Sequence, residues 1–122
     1  MKNTFIHVEL NTDNVKKAEG FYKKLFKWKL ESPKGMNYTM INTGSKNSGG
    51  GIQQKPMPDA PTAWLPYVEV KSVKKTIAQA KKLGAQIPLE YMPLEGMGAI
   101  GIFIDPTGAA LGVWEAGKKS KR

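Results

Sequence analysis

The sequence predicts an α+β fold built from two βαβββ modules, and three observations lead there. A stretch near the start recurs near the middle, each copy is followed by a lysine-rich amphipathic segment, and each half closes with a glycine-bearing strand. The repeated stretches are Phe5-Ile6-His7-Val8-Glu9-Leu10 and Leu65-Pro66-Tyr67-Val68-Glu69-Val70, and matched positions stay near 60 residues apart. The helical segments begin Asn14-Val15-Lys16-Lys17 and Ser72-Val73-Lys74-Lys75, and the closing strands carry Gly51-Ile52-Gln53-Gln54 and Gly112-Val113-Trp114-Glu115. Two repeats are too few for a solenoid, so a closed pair of modules is expected.

Residues 4–11 alternate, with Ile6, Val8 and Leu10 on one face and Phe5, His7 and Glu9 on the other, the period of a strand. Thr12 or Asp13 can cap the helix that follows. Val15, Ala18, Phe21, Tyr22, Leu25 and Phe26 then form one apolar stripe at helical spacing, with Gly20 costing up to about 1 kcal/mol relative to alanine. Residues 28–32, 36–43 and 48–54 are short strand candidates. Lys55 to Ala63 holds Pro56, Pro58 and Pro61 and reads as the linker between a first module, 1–54, and a second, 64–117.

In the second module Ser72 caps a helix whose Val73, Ile77, Ala80 and Leu83 face the core, and Gly84 provides a left-handed stop. Strand 98–104 leads into Asp105-Pro106-Thr107-Gly108, a type I turn signal with proline second and glycine fourth. Strand 109–115 ends the fold, and Met92 to Met97 reads as a rim loop. One such unit is too small to stand alone; joining two lets their sheets curl around a shared core.

Bulk properties narrow the function. The chain has 122 residues and no cysteine, which excludes a disulfide framework and a thiolate metal site. No apolar run approaches the roughly 20 residues of a membrane span, and Met1 to Leu10 has polar residues where a signal peptide carries its apolar stretch. A soluble cytoplasmic protein without a membrane role is expected. The net charge is +9, but four of the 19 cations lie in residues 118–122, read as a basic flexible tail, which leaves 15 against 10 anions. The other lysines come mostly as helical pairs, the pattern of a solvated face. A single arginine argues against base reading and bidentate phosphate clamps, so no specific nucleic-acid partner is expected.

With these elements in order, the sequence resembles the vicinal oxygen chelate superfamily, which includes glyoxalase I, extradiol dioxygenases and bleomycin-binding proteins. The likeness is carried by Phe5-Ile6-His7-Val8-Glu9, by Phe21-Tyr22-Lys23-Lys24-Leu25-Phe26-Lys27-Trp28 and by Asp105-Pro106-Thr107-Gly108. Trp64 to Val70 and Ala80-Lys81-Lys82-Leu83-Gly84-Ala85 extend it over nearly the whole chain. The resemblance implies a cup-shaped, partly open mixed β-barrel with helices outside, forming one domain over residues 1–117. Lys27 departs from the family's usual glycine before the tryptophan, so the first helix is expected to end there without the favoured left-handed residue.

Metal-dependent members chelate a divalent ion with one side chain from the first and one from the last strand of each module. Mapped residue by residue, those positions are His7, Gly51, Tyr67 and Gly112. His7 alone carries a usual ligand, whereas a catalytic zinc generally needs three protein ligands and an open position. No cofactor is therefore predicted, with a displaced divalent metal on His7, Glu9 and Glu69 as the alternative. The glycines at 51 and 112 are expected to leave space. Inward parity gives the ligand-binding candidates Phe5, His7, Glu9, Gln53, Tyr67, Glu69 and Trp114, aromatic walls with a few convergent polar groups.

The leading expectation is a metal-independent protein of this family that binds a small organic molecule. The alternative is a glyoxalase-like lyase or isomerase with a displaced metal or with His7, oriented by Glu9, as general base. A homodimer is possible, with modules packed within one chain or exchanged between chains.

Overall fold

The computed structural model describes residues 2–32, 38–45 and 49–117, with ten elements among them. They are β1 (Phe5–Thr12), α1 (Val15–Phe26), β2 (Lys29–Glu31), β3 (Tyr38–Asn42), β4 (Gly50–Gln54), β5 (Ala63–Glu69), α2 (Val73–Lys82), β6 (Gln86–Leu94), β7 (Gly98–Ile104) and β8 (Ala110–Glu115). This is the α+β order the repeat predicts. Contacts divide the chain into two compact halves: Ile6–Leu65, and the residues up to Phe5 together with the chain from Pro66 onward. The basic tail expected at residues 118–122 lies outside the described residues. No described helix is long and apolar enough to cross a membrane.

In the first half the strands run in the order β2-β3-β4-β1. β2 and β3, and β3 and β4, pair antiparallel, while β1 and β4 pair parallel with Glu9 beside Gly51 and Asn11 beside Gln53. A period of two sends Leu10 and Ile52 to one face, where with Ile41 they form a buried cluster under Val15, Ala18 and Tyr22 of α1. Ile52 is fully buried.

Three details of this half correct the sequence reading. The helix cap is Asn14, whose side chain accepts from the Lys17 amide at 3.1 Å, while the Thr12 hydroxyl accepts from the Asn14 amide. Lys27 does take the left-handed conformation, at φ 58° and ψ 31°, so the helix stops in the usual way on an unusual residue. The predicted stripe on α1 is too wide. Phe21, Leu25 and Phe26 are each more than half exposed, because only the narrower Val15, Ala18 and Tyr22 arc meets the sheet.

The second half repeats the plan, with order β5-β8-β7-β6 and β5 parallel to β8. Val70, Val73, Ile77 and Val113 form its core, joined by Ile87 and Phe103. Gly101 on β7 lets α2 come close, since a methyl there would lie 3.0 Å from both Val73 and Ile77. Ser72 caps α2 through the Lys75 amide as expected, and Gly84 takes φ 101°. Leu83, expected in the core, sits at the C-cap and is 68% exposed. The Asp105–Gly108 turn forms as read. The Gly108 amide donates to the Asp105 carbonyl, and the Asp105 carboxylate accepts from the Thr107 hydroxyl and from the amides of Thr107 and Ala109.

The segment from Met92 is a further correction. Residues 92–94 are the end of β6, and only 95–97 turn. β6 carries Pro88 and Pro93, which supply no N–H to a ladder. It accommodates them as the last strand in its half's order, with register shifts on either side of Leu89.

Candidate functional site

The face of the first-half sheet opposite α1 is polar. Odd positions of β1 place His7, Glu9 and Asn11 along one line, and the parallel register adds Gln53 next to Asn11. The Gln53 amide nitrogen donates to Glu9 Oε2 and to Asn11 Oδ1, each at 2.9 Å. Glu9 is 6% exposed, a carboxylate taken almost completely out of water. Its Oε1 lies 3.9 Å from His7 Nε2. Of the seven ligand-binding candidates, His7, Glu9 and Gln53 are thus brought together in this half.

Two members of this face were missed. Asn11 shares the parity of His7 and Glu9 one step further along β1, a signal the sequence contained. Tyr38 comes from β3, where it stands beside Gln53 in the antiparallel register. Its hydroxyl is 2.6 Å from His7 Nε2, and the two rings are stacked with centroids 6.2 Å apart. Burial pushes the His7 pKa below its ordinary 6.5, because the charged imidazolium loses hydration. The ring is neutral at pH 7, and the hydrogen bond to Tyr38 serves either as O–H donating to nitrogen or as N–H donating to oxygen.

The expectation of open space at the two glycines is overturned. A Cβ on Gly51 would lie 1.8 Å from the Tyr38 hydroxyl oxygen, so that ring occupies the room. On Gly112 a Cβ would lie 2.4 Å from two ring atoms of Tyr67. Among the described residues no three His, Cys, Asp or Glu side chains are grouped to hold a metal ion. The residues at the family's metal positions therefore do not fit a divalent ion.

In the second half, register sets Tyr67 beside Gly112 and Glu69 beside Trp114, so Tyr67, Glu69 and Trp114 share the face opposite α2. Tyr67 is buried, at 2% exposure. The Trp114 indole N–H donates to the Met97 carbonyl at 2.6 Å, tying β8 to the β6–β7 turn. Glu115 has the opposite parity, and its carboxylate accepts from the Val73 amide at 2.7 Å. Phe5 begins β1 and is 67% exposed. A separate hollow of about 330 Å³ at the start of α2 is lined by Asn3, Val70, Lys71, Ser72, Lys75 and Thr76, none of them a sequence candidate.

Known proteins resemble this chain in sequence and fold. A family described as bleomycin resistance protein-like N-terminal matches residues 4–44. A putative glyoxylase, CFP32, of Mycobacterium tuberculosis is 26% identical over 117 residues, which cover 91% of this chain and 45% of that protein. The chain thus spans about half the length of this curated relative. Homoprotocatechuate 2,3-dioxygenase of Brevibacterium fuscum aligns with a TM-score of 0.65 at 16% identity, over 97% of this chain and 38% of its own. Methylmalonyl-CoA epimerase of Mycobacterium tuberculosis aligns with a TM-score of 0.63 at 10% identity, over 93% of this chain and 88% of its own.

Proposed function

We propose, from the place in the vicinal oxygen chelate superfamily that sequence pattern, fold and relatives support, that this glyoxalase- and bleomycin-resistance-like chain binds a small organic molecule without a metal. The observation that carries the reading is Glu9, a buried carboxylate on the polar face of the first half, held by Gln53 and beside His7. Burying a carboxylate costs several kcal/mol unless partners offset it, so a core has no use for one as filler. A cationic or hydrogen-bond-donating ligand is the chemistry such a group recognises. Metal independence is supported by the donor set: one histidine in the chain, and glycine at two of the four family positions. In the second half, Tyr67, Glu69 and Trp114 present residues of the same classes on one face.

The test is a thermal-shift screen with amines and polyhydroxylated aromatic compounds. A ligand at a hundredfold excess over its Kd stabilises by about 2.7 kcal/mol. That shift is expected to disappear in Glu9→Gln; if every hit keeps its full shift in that variant, Glu9 is not the recognition group.

A second reading, a lyase or isomerase with His7 as general base, is favoured by the neutral state in which burial holds His7. Under it, His7→Gln abolishes turnover of a bound carbonyl compound while leaving affinity within about tenfold. Unchanged turnover in that variant rules it out.

A further inference from the structure

We infer that Tyr38 is the residue that decides what the polar face of the first half can hold, because its hydroxyl takes both the room of a side chain at position 51 and a ring nitrogen of the chain's one imidazole. An ideal Cβ on Gly51 would lie 1.8 Å from the Tyr38 oxygen, 2.1 Å from Cζ and 2.5 Å from Cε2. Each of these is closer than real carbon contacts come. The obstruction is a rigid ring, rooted by the pairing of Tyr38 with Gln53 on the strand next to Gly51. The ring turns only about two side-chain torsions, so clearing the site means moving the whole ring and giving up the contact with His7. Gly51 is itself fixed between Glu9 and Met40 in mid-sheet, so the backbone has little freedom to yield.

The same oxygen is 2.6 Å from His7 Nε2. Glycine at 51, tyrosine at 38 and histidine at 7 are therefore one unit. A donor side chain at 51 is incompatible with the tyrosine in place, and the tyrosine holds the imidazole in a hydrogen bond where a ligand set would need its lone pair. This turns the face from a seat for a metal ion into a hydrogen-bonding surface, the specificity on which the proposed ligand binding rests. The second half repeats the device with Tyr67 lying over Gly112, where a Cβ would meet Cδ2 and Cε2 at 2.4 Å.

The reciprocity is measurable without any ligand, so its failure and the failure of the binding proposal are distinct. Gly51→Ala is made in the wild-type chain and in Tyr38→Ala, and folding constants are read from urea denaturation. The methyl is expected to lower the folding constant at least about tenfold more in the wild type than in the Tyr38→Ala background. Should Gly51→Ala alone fail to fold, the Tyr38→Ala/Gly51→Ala double variant folds. Ring 15N shifts of His7, the single histidine, are expected to move in Tyr38→Phe. Equal costs of Gly51→Ala in the two backgrounds overturn the inference. So do unchanged His7 shifts in Tyr38→Phe, or one zinc ion per wild-type chain in dialysis that is lost on His7→Ala.

Discussion

Glu115 offers a direct measure of how β8 and α2 support each other. Its carboxylate accepts the Val73 amide at 2.7 Å, and Val73, the first residue of α2, is fully buried. The Ser72 side chain serves the Lys75 amide instead, so the helix opens with two donors held by two different side chains. No acidic residue lies in the first turn of α2 itself, which makes Glu115 the negative group at the positive end of the helix. Glu115→Ala removes a hydrogen bond to a charged acceptor and leaves a buried N–H without that partner, a loss of about 2–3 kcal/mol. Glu115→Gln keeps a neutral acceptor at the same reach and is expected to cost about 1 kcal/mol. The assay is urea denaturation of the three proteins with the slope compared, so that a shifted midpoint reports stability alone. Amide exchange at Val73 and Lys74 is expected to speed up in the same order. A Glu115→Ala variant within about 0.5 kcal/mol of the wild type refutes the reasoning, because surface changes away from any such bond fall in that range.

Lys27→Gly is expected to stabilise the protein by about 0.5–1 kcal/mol, since glycine takes the φ 58° conformation without the steric cost a lysine carries there; a lower urea midpoint contradicts this. For His7 the folded state binds the proton more weakly than the unfolded one, its pKa lying below 6.5. The stability it contributes is present above pH 6.5 and is lost as the pH falls from there through the folded value. Urea midpoints measured between pH 7.5 and 5 are expected to fall more steeply for the wild type than for His7→Gln, and parallel curves count against it.

Much of this was readable from residue order, and the exceptions have physical causes. β1, β5, β7, β8 and α2 announce themselves through period, caps and the Asp105–Gly108 turn, all local properties of the chain. β6 does not, because Pro88 and Pro93 argue against a strand wherever its place in the sheet is unknown, and only a last position in the order with shifted register admits them. Spacing puts Phe21 and Leu25 in the apolar stripe of α1, but the width of the buried arc depends on how α1 lies on the sheet. In the candidate site, parity counted from His7 and Gly51, the positions mapped by the resemblance, put His7, Glu9 and Gln53 on a common face. Tyr38 escaped because its meeting with His7 depends on the β3–β4 register and on the diagonal reach of a ring across Gly51. The glycines were read as room because an absent side chain is visible in sequence, whereas the neighbour that fills the room is not.

The interlock at Gly51 also constrains the order in which this sequence can change. Placing a carboxylate or imidazole at position 51 while Tyr38 stays meets the ring at once. Trading Tyr38 for a smaller residue first leaves a gap over the glycine and deprives His7 of its partner. Each single step carries a structural cost, and in the second half Tyr67 and Gly112 are coupled by the same kind of close approach. The two positions of each pair are therefore expected to change together. A donor side chain at either glycine calls for a coupled change at the tyrosine that covers it.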